Sequence, residues 1–97
     1  MSESFAQPVA DYVLTGHALY EMKRRGLTEE LVRRVLHSPE QRMDVRPGRI
    51  VLQSRIPMGE PAKKYLIRVF LDMDRKPPEV VPVYRTGKIS KYWREQP

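Results

Sequence analysis

The sequence has no cysteine, two histidines and one tryptophan, and its five glycines stand apart from one another. Without cysteine there is neither a disulfide framework nor a thiolate metal site, and a cytoplasmic setting is the default expectation. Two histidines, one in each expected helix, are too few natural ligands for a transition metal. Asp72 and Asp74 run into Arg75-Lys76, which makes a poor calcium loop. Isolated glycines at turns exclude a glycine-rich phosphate loop, and neither Ser54 nor Ser90 has an evident base and orienter for nucleophilic work. No metal and no cofactor are therefore expected. No stretch approaches the ~20 apolar residues that cross a bilayer, and the opening residues lack a charged-then-apolar leader pattern, so no membrane association is expected.

Acids are also scarce: 12 Asp+Glu stand against 18 Lys+Arg, for a net charge of +6 and a pI near 9.9. Such an excess concentrates polyanions, RNA among them, or an acidic protein partner around the molecule. Arginine outnumbers lysine, and the planar guanidinium fork matches phosphate geometry better than an ammonium does. With 97 residues the chain forms one domain with one modest core. Residues 1–11, polar and containing Pro8, read as a flexible lead-in, and 12–97 as the domain.

The apolar periodicity changes once along the chain. Residues 11–14 make a short first strand at most. Thr15-Gly16 opens a helix at about His17 that runs through Arg25 and stops at Gly26. Thr28-Glu29-Glu30 starts a second helix, with Leu31, Val32, Val35 and Leu36 on one stripe, ended by Ser38-Pro39. Thereafter residues 42–46, 49–55, 64–72 and 79–86 read as strands. Pro47-Gly48 marks a tight hairpin, while 57–61 and 74–78 are longer connections. The run from Tyr65 to Leu71 is nearly continuous in apolar character and makes the central strand. Pro82 cannot donate to a ladder, which puts the last strand at an edge or in a bulge there. The expected class is α+β: two N-terminal helices packed on one face of a small antiparallel sheet of about four strands, with the other face free for a ligand.

Candidate chemistry gathers in two places. On the first helix, Ala18, Leu19 and Met22 form the inner stripe and His17, Tyr20, Glu21 and Arg24 the outer one. His17 is equally well read as a polar residue tolerated in a first helical turn. Near the C-terminus, Tyr84, Arg85, Thr86, Lys88, Lys91, Tyr92, Trp93 and Arg94 alternate cations with aromatic or hydroxyl groups, a composition suited to phosphates and stacked bases. For Trp93 the plainer reading is favoured, an anchor holding the chain end to the core. Arg46, Arg49, Arg55 and Arg68 add charge from the strands. Arg68 interrupts the apolar central strand, so it faces solvent, a site or a buried acid.

Gly16-His17-Ala18, Met22-x-x-Arg25-Gly26-Leu27-Thr28, Ser38-Pro39-Glu40 and Val83-Tyr84-Arg85-Thr86 with Lys88 and Lys91-Tyr92 together resemble a small bacterial domain-of-unknown-function family. That family is usually placed beside the RelE- and BrnT-like toxins of type II toxin–antitoxin systems. The resemblance runs from about Tyr12 to Tyr92, and Pro82 departs from it. It implies metal-independent endoribonuclease activity on RNA, an acidic antitoxin as partner, and a site carried over onto His17, Arg24, Arg25, Arg68, Arg85 and Lys88. In the mechanism this resemblance implies, the RNA 2′-hydroxyl attacks the adjacent phosphorus. His17 then acts as base or acid, Arg68 and Arg85 hold the charge of the phosphorane, and Lys88 and Tyr84 position the backbone or donate the proton. Arg24, Arg25, Arg46, Arg49, Thr86, Lys91 and Tyr92 are the RNA-binding candidates. Two further readings stand beside this one: a non-catalytic RNA- or ribosome-binding module, and a domain that docks an acidic protein by strand addition at the Pro82 edge or on the open sheet face.

Overall fold

The computed structural model describes residues 7–95. The first six residues of the expected lead-in lie outside that range. Beyond them the chain is tied down, because the Val9 N–H donates to the Leu36 carbonyl at 2.9 Å and Val9 and Tyr12 pack against the core.

Helix α1 (Gly16–Arg24) begins where the Thr15 hydroxyl accepts from the Ala18 N–H at 3.0 Å. The same hydroxyl donates to the Val80 carbonyl, so the cap also fixes the helix start to the sheet. Its end is a Schellman turn: the Leu27 N–H returns to the Met22 carbonyl, the Gly26 N–H to Lys23, and Gly26 takes φ +72°. Helix α2 (Glu29–His37) is capped by the Thr28 hydroxyl, with Glu29 and Glu30 against the positive end of its dipole.

Strands β1 (Val13–Leu14), β2 (Gln41–Arg46), β3 (Arg49–Met58), β4 (Lys63–Asp72) and β5 (Glu79–Thr86) form one sheet in the order β1-β5-β4-β3-β2. β4 is the middle strand, with β3 and β5 antiparallel on either side. Gly48, at φ +85° in the turn between β2 and β3, has Asp74 packed where a Cβ would stand. A short helix α3 (Ile89–Tyr92) follows β5.

Three features correct the expected four-stranded antiparallel sheet with two helices. The sheet has five strands and is mixed, because β1 pairs in parallel with β5 through Val13↔Glu79 and Leu14↔Val80. A two-residue strand carries no periodicity of its own, and its pairing depends on where a segment some 65 residues away returns. Next, β3 runs on through Pro57 and Met58, which shortens the expected 57–61 loop. β2 pairs with β3 only as far as Gln53, so Pro57 lies where β3 has become an edge and its missing N–H costs no ladder bond. Finally, the described residues include a third helix, and the sheet face opposite α1 and α2 is partly covered by it. Pro82 lies beside a register shift between Val69 and Leu71, on a stretch of β5 that β1 does not reach.

Strand alternation divides the sheet. Ile50, Leu52, Ile56, Ile67, Val69, Leu71, Val80 and Val83 face α1 and α2 and pack on Ala18, Met22, Val32, Val35 and Leu36. Val51, Gln53, Arg55, Leu66, Arg68, Phe70 and Tyr84 face the other way. Among the described residues no helix is long and apolar enough to cross a membrane.

Candidate nucleic-acid interface

On the face away from α1 and α2, Gln53 stands opposite Arg68 across β3 and β4, and Arg68 opposite Tyr84 across β4 and β5. Gln53 is fully buried. Its amide nitrogen donates to the Gln41 side-chain oxygen at 2.8 Å and to the Tyr92 carbonyl at 3.2 Å, and its oxygen accepts from Arg68 Nε at 2.8 Å. Gln41 in turn exchanges two hydrogen bonds with the Arg94 backbone. Two glutamine amides thus hold the 92–94 segment across the sheet much as a neighbouring strand would. Arg55 clamps the same segment from the side: its guanidinium carbon lies 3.9 Å from the Trp93 ring centre while it forks onto Glu40.

This arrangement builds a cleft of about 250 Å³ lined by Arg68, Phe70, Tyr84, Arg85, Thr86 and Tyr92. The Arg68 guanidinium carbon sits 4.4 Å from the Tyr92 ring centre and 5.3 Å from that of Phe70. Phe70 meets Tyr84 edge-on, with centroids 5.7 Å apart. Burial pushes the Arg68 guanidinium below its ordinary value, and among the described residues no acid lines the cleft. Among the described residues Arg68 has no ion-pair partner, and its only side-chain hydrogen bond is the one from Nε to Gln53.

Arg25 extends the surface over the edge of β5. It donates to the Val83 carbonyl at 3.0 Å, where β1 has ended, and lies 4.8 Å from the Tyr84 ring centre. Glu21 organises this corner by accepting from Arg24 at 2.8 Å and pairing with Arg25 at 3.1 Å. The Arg24 hydrogen bond holds the Glu21 carboxyl below the usual carboxylate range, with the charges of Arg24, Arg25 and His17 adding to it.

The sequence candidates fall into separate places. Arg68, Tyr84, Arg85, Thr86 and Tyr92 border the cleft, and Arg25 flanks it. Yet Arg85 pairs with Ile67, a core residue, and its guanidinium lies 5.2 Å from the ring of Tyr65, which packs against the core on the helix side of the sheet. Arg68 and Arg85, one register position apart, therefore aim their charges at opposite faces. His17 is exposed at the start of α1, lies near Glu21 and does not line the cleft. The structure does not bring His17, Arg68 and Arg85 into one pocket. Lys88 and Lys91 are exposed around α3. Arg24 is engaged with Glu21. Arg46 and Arg49 lie at the hairpin end of the sheet, where Arg49 forks onto Asp72 at 2.7 and 3.1 Å. Trp93 is held by Arg55 and is not among the residues that pack on the core, so it is not the core anchor that its plainer reading expects.

Phe70, Gln41 and Gln53 were not singled out from sequence, and Glu21 was placed only on the outer stripe of the first helix. A signal existed for Phe70: it stands two residues from Arg68, on the same side of a strand, but it is hidden in a run that is apolar on both faces. Among the described residues no group of three or more His, Cys, Asp or Glu side chains could hold a metal ion.

Arg49 and Arg55, through their hydrogen bonds, hold the Asp72 and Glu40 carboxyls below their ordinary values of 3.8 and 4.5. A carboxyl depressed in the fold stabilises it above the unfolded value, and that contribution is lost as pH falls through the folded value. The urea midpoint is thus expected to hold from neutral pH to ~5 and to decline below that, with Asp72→Asn flattening part of the slope. Both pairs are partly exposed, so each is worth at most ~1 kcal/mol. Equal slopes for wild type and Asp72→Asn would show that the Arg49–Asp72 pair contributes nothing to the acid sensitivity.

No protein-family model, no curated protein and no solved structure matches this chain.

Proposed function

We propose that the chain is an RNA-binding module, with the cleft and the adjoining Arg25 corner as its contact surface. The observation that carries this reading is Arg68, a half-buried guanidinium with no acid partner among the described residues, set among three aromatic rings. A desolvated cation without a counter-charge is costly, and an anionic ligand relieves that cost. Aromatic rings beside it suit exposed bases, which stack on π-faces in single-stranded nucleic acid. The net charge of +6 supplies the long-range attraction.

The toxin-type endoribonuclease reading needs a general acid and base at the phosphate. His17 outside the cleft and Arg85 aimed at the opposite face favour binding over turnover. Fluorescence anisotropy with labelled single-stranded RNA of about a dozen nucleotides tests the proposal. Affinity is expected to fall steeply with salt, and Tyr84→Ala to weaken binding by roughly 5- to 150-fold, the worth of one stacked base. The RNA is expected to remain intact. Cleavage abolished by His17→Ala would instead establish the ribonuclease reading, and salt-insensitive or undetectable binding would sink both.

A further inference from the structure

We propose that the cleft accepts one unpaired guanine base, its O6 and N7 held by the Nη1/Nη2 fork of Arg68. This rests on the RNA-binding reading and goes further, naming what the site selects.

Gln53 accepts the Arg68 Nε–H, so that donor is already used and the guanidinium is orientated. Tyr92 and Phe70 lie against the group, 4.4 and 5.3 Å from its central carbon. Among the described residues no acceptor meets either terminal nitrogen. What the protein offers is a charged, planar pair of donors at fixed orientation, which suits a ligand with two acceptors side by side in one plane.

Guanine carries that pair on its O6/N7 edge. Adenine places an amino donor beside N7, so one of its two groups opposes the fork; uracil has no adjacent acceptor pair, and unpaired cytosine has one at O2/N3 but a smaller ring to set against the aromatic side chains. A phosphate also matches the fork, but it gains nothing from rings. Phe70, Tyr84 and Tyr92 form half of the cleft's six lining residues, which favours a flat base. Size agrees: about 250 Å³ is below the ~300–1,000 Å³ of pockets that enclose drug-sized ligands, and suits a single base. Duplex RNA hides this edge in a deep, narrow groove, so the base must be unpaired. Because Tyr92 belongs to the segment held by Gln41 and Gln53, that segment forms one wall of the site.

The test compares labelled oligouridylates carrying one central guanine, adenine, cytosine or 7-deazaguanine, titrated by anisotropy with the full chain. The guanine oligomer is expected to bind roughly 5- to 150-fold tighter than the others, the discrimination of one bidentate contact. 7-Deazaguanine, which lacks the N7 acceptor, is expected to lose most of that advantage. Arg68→Lys keeps the charge but not the fork, and is expected to erase the difference between the guanine and adenine oligomers while also lowering affinity for both. The 7-deaza comparison alters no residue and so stands even where the variant folds poorly. Equal binding of all four oligomers, or a guanine preference that 7-deazaguanine retains in full, overturns the guanine assignment and leaves the RNA-binding reading in place. Binding of none of them overturns that reading as well.

Discussion

Replacing Gln53 by leucine is expected to cost about 2–4 kcal/mol of stability and to loosen the C-terminal segment, although leucine has similar bulk and suits a buried strand position. Gln53 is fully buried and serves three partners: Gln41, the Tyr92 carbonyl and Arg68 Nε. Leucine removes both ends of its amide. A buried donor or acceptor stripped of its partner costs ~1–3 kcal/mol, far more than the net gain of an ordinary hydrogen bond. Two effects soften the total. The Gln41 oxygen keeps its bond from the Arg94 N–H, and the segment can lift enough to admit water to the Tyr92 carbonyl. Lifting has its own signature. Trp93, now packed under Arg55, should shift its emission to the red, and trypsin should cut after Lys91 and Arg94 sooner than in the wild type. Urea unfolding followed through Trp93 and a proteolysis time course measure the two effects. A variant that matches wild type in both would mean that the glutamine pair does not hold the chain end.

Leu52→Ala probes the opposite face and is expected to cost about 2–5 kcal/mol, the range for truncating a buried leucine when the surroundings cannot close the gap. Leu52 is fully buried in β3 between Arg42 and Val69, and its side chain belongs to the cluster shared by the sheet and both long helices. Each kcal/mol moves the melting temperature of a domain this small by ~4–8 °C, so a fall of roughly 8–40 °C is expected in calorimetry or by circular dichroism. Val45→Ala serves as the control. Val45 is 48% exposed on the edge strand β2, and its truncation should stay within ~0.5 kcal/mol. Similar losses for the two variants would contradict the assignment of the core to the helix side. With about 5–15 kcal/mol of total stability typical of a domain, either Gln53→Leu or Leu52→Ala removes a large share.

Much of the local structure was legible residue by residue. Thr15 and Thr28 cap their helices as hydroxyl residues before apolar periodic segments do, and Gly26 ends α1 at positive φ. The expected 79–86 strand matches β5, and the run around Tyr65–Leu71 is the middle strand. Legibility failed at long sequence separation. Val13–Leu14 is too short to show which strand it will join, and nothing near Gln41 or Gln53 shows that their amides will meet the backbone of residues 92–94. The candidate site was half legible. Arg68 stood out because a charge in an apolar strand needs a reason, and Tyr84 and Tyr92 were already candidates. The grouping with His17 did not follow, because His17 lies on α1 outside the cleft; Arg85 borders the cleft, but strand parity turns its guanidinium to Tyr65 on the other face.

By itself the sequence determined the caps, the turn at Pro47-Gly48, most of the strand segments and the excess of positive charge, since each depends on side chains within a few residues of one another. Only the tertiary structure decided the parallel pairing of β1, the covering of the second sheet face by the chain end, and which cations share a surface. Those outcomes depend on contacts between distant segments, whose closing entropy is repaid only by the whole core, so no local pattern encodes them.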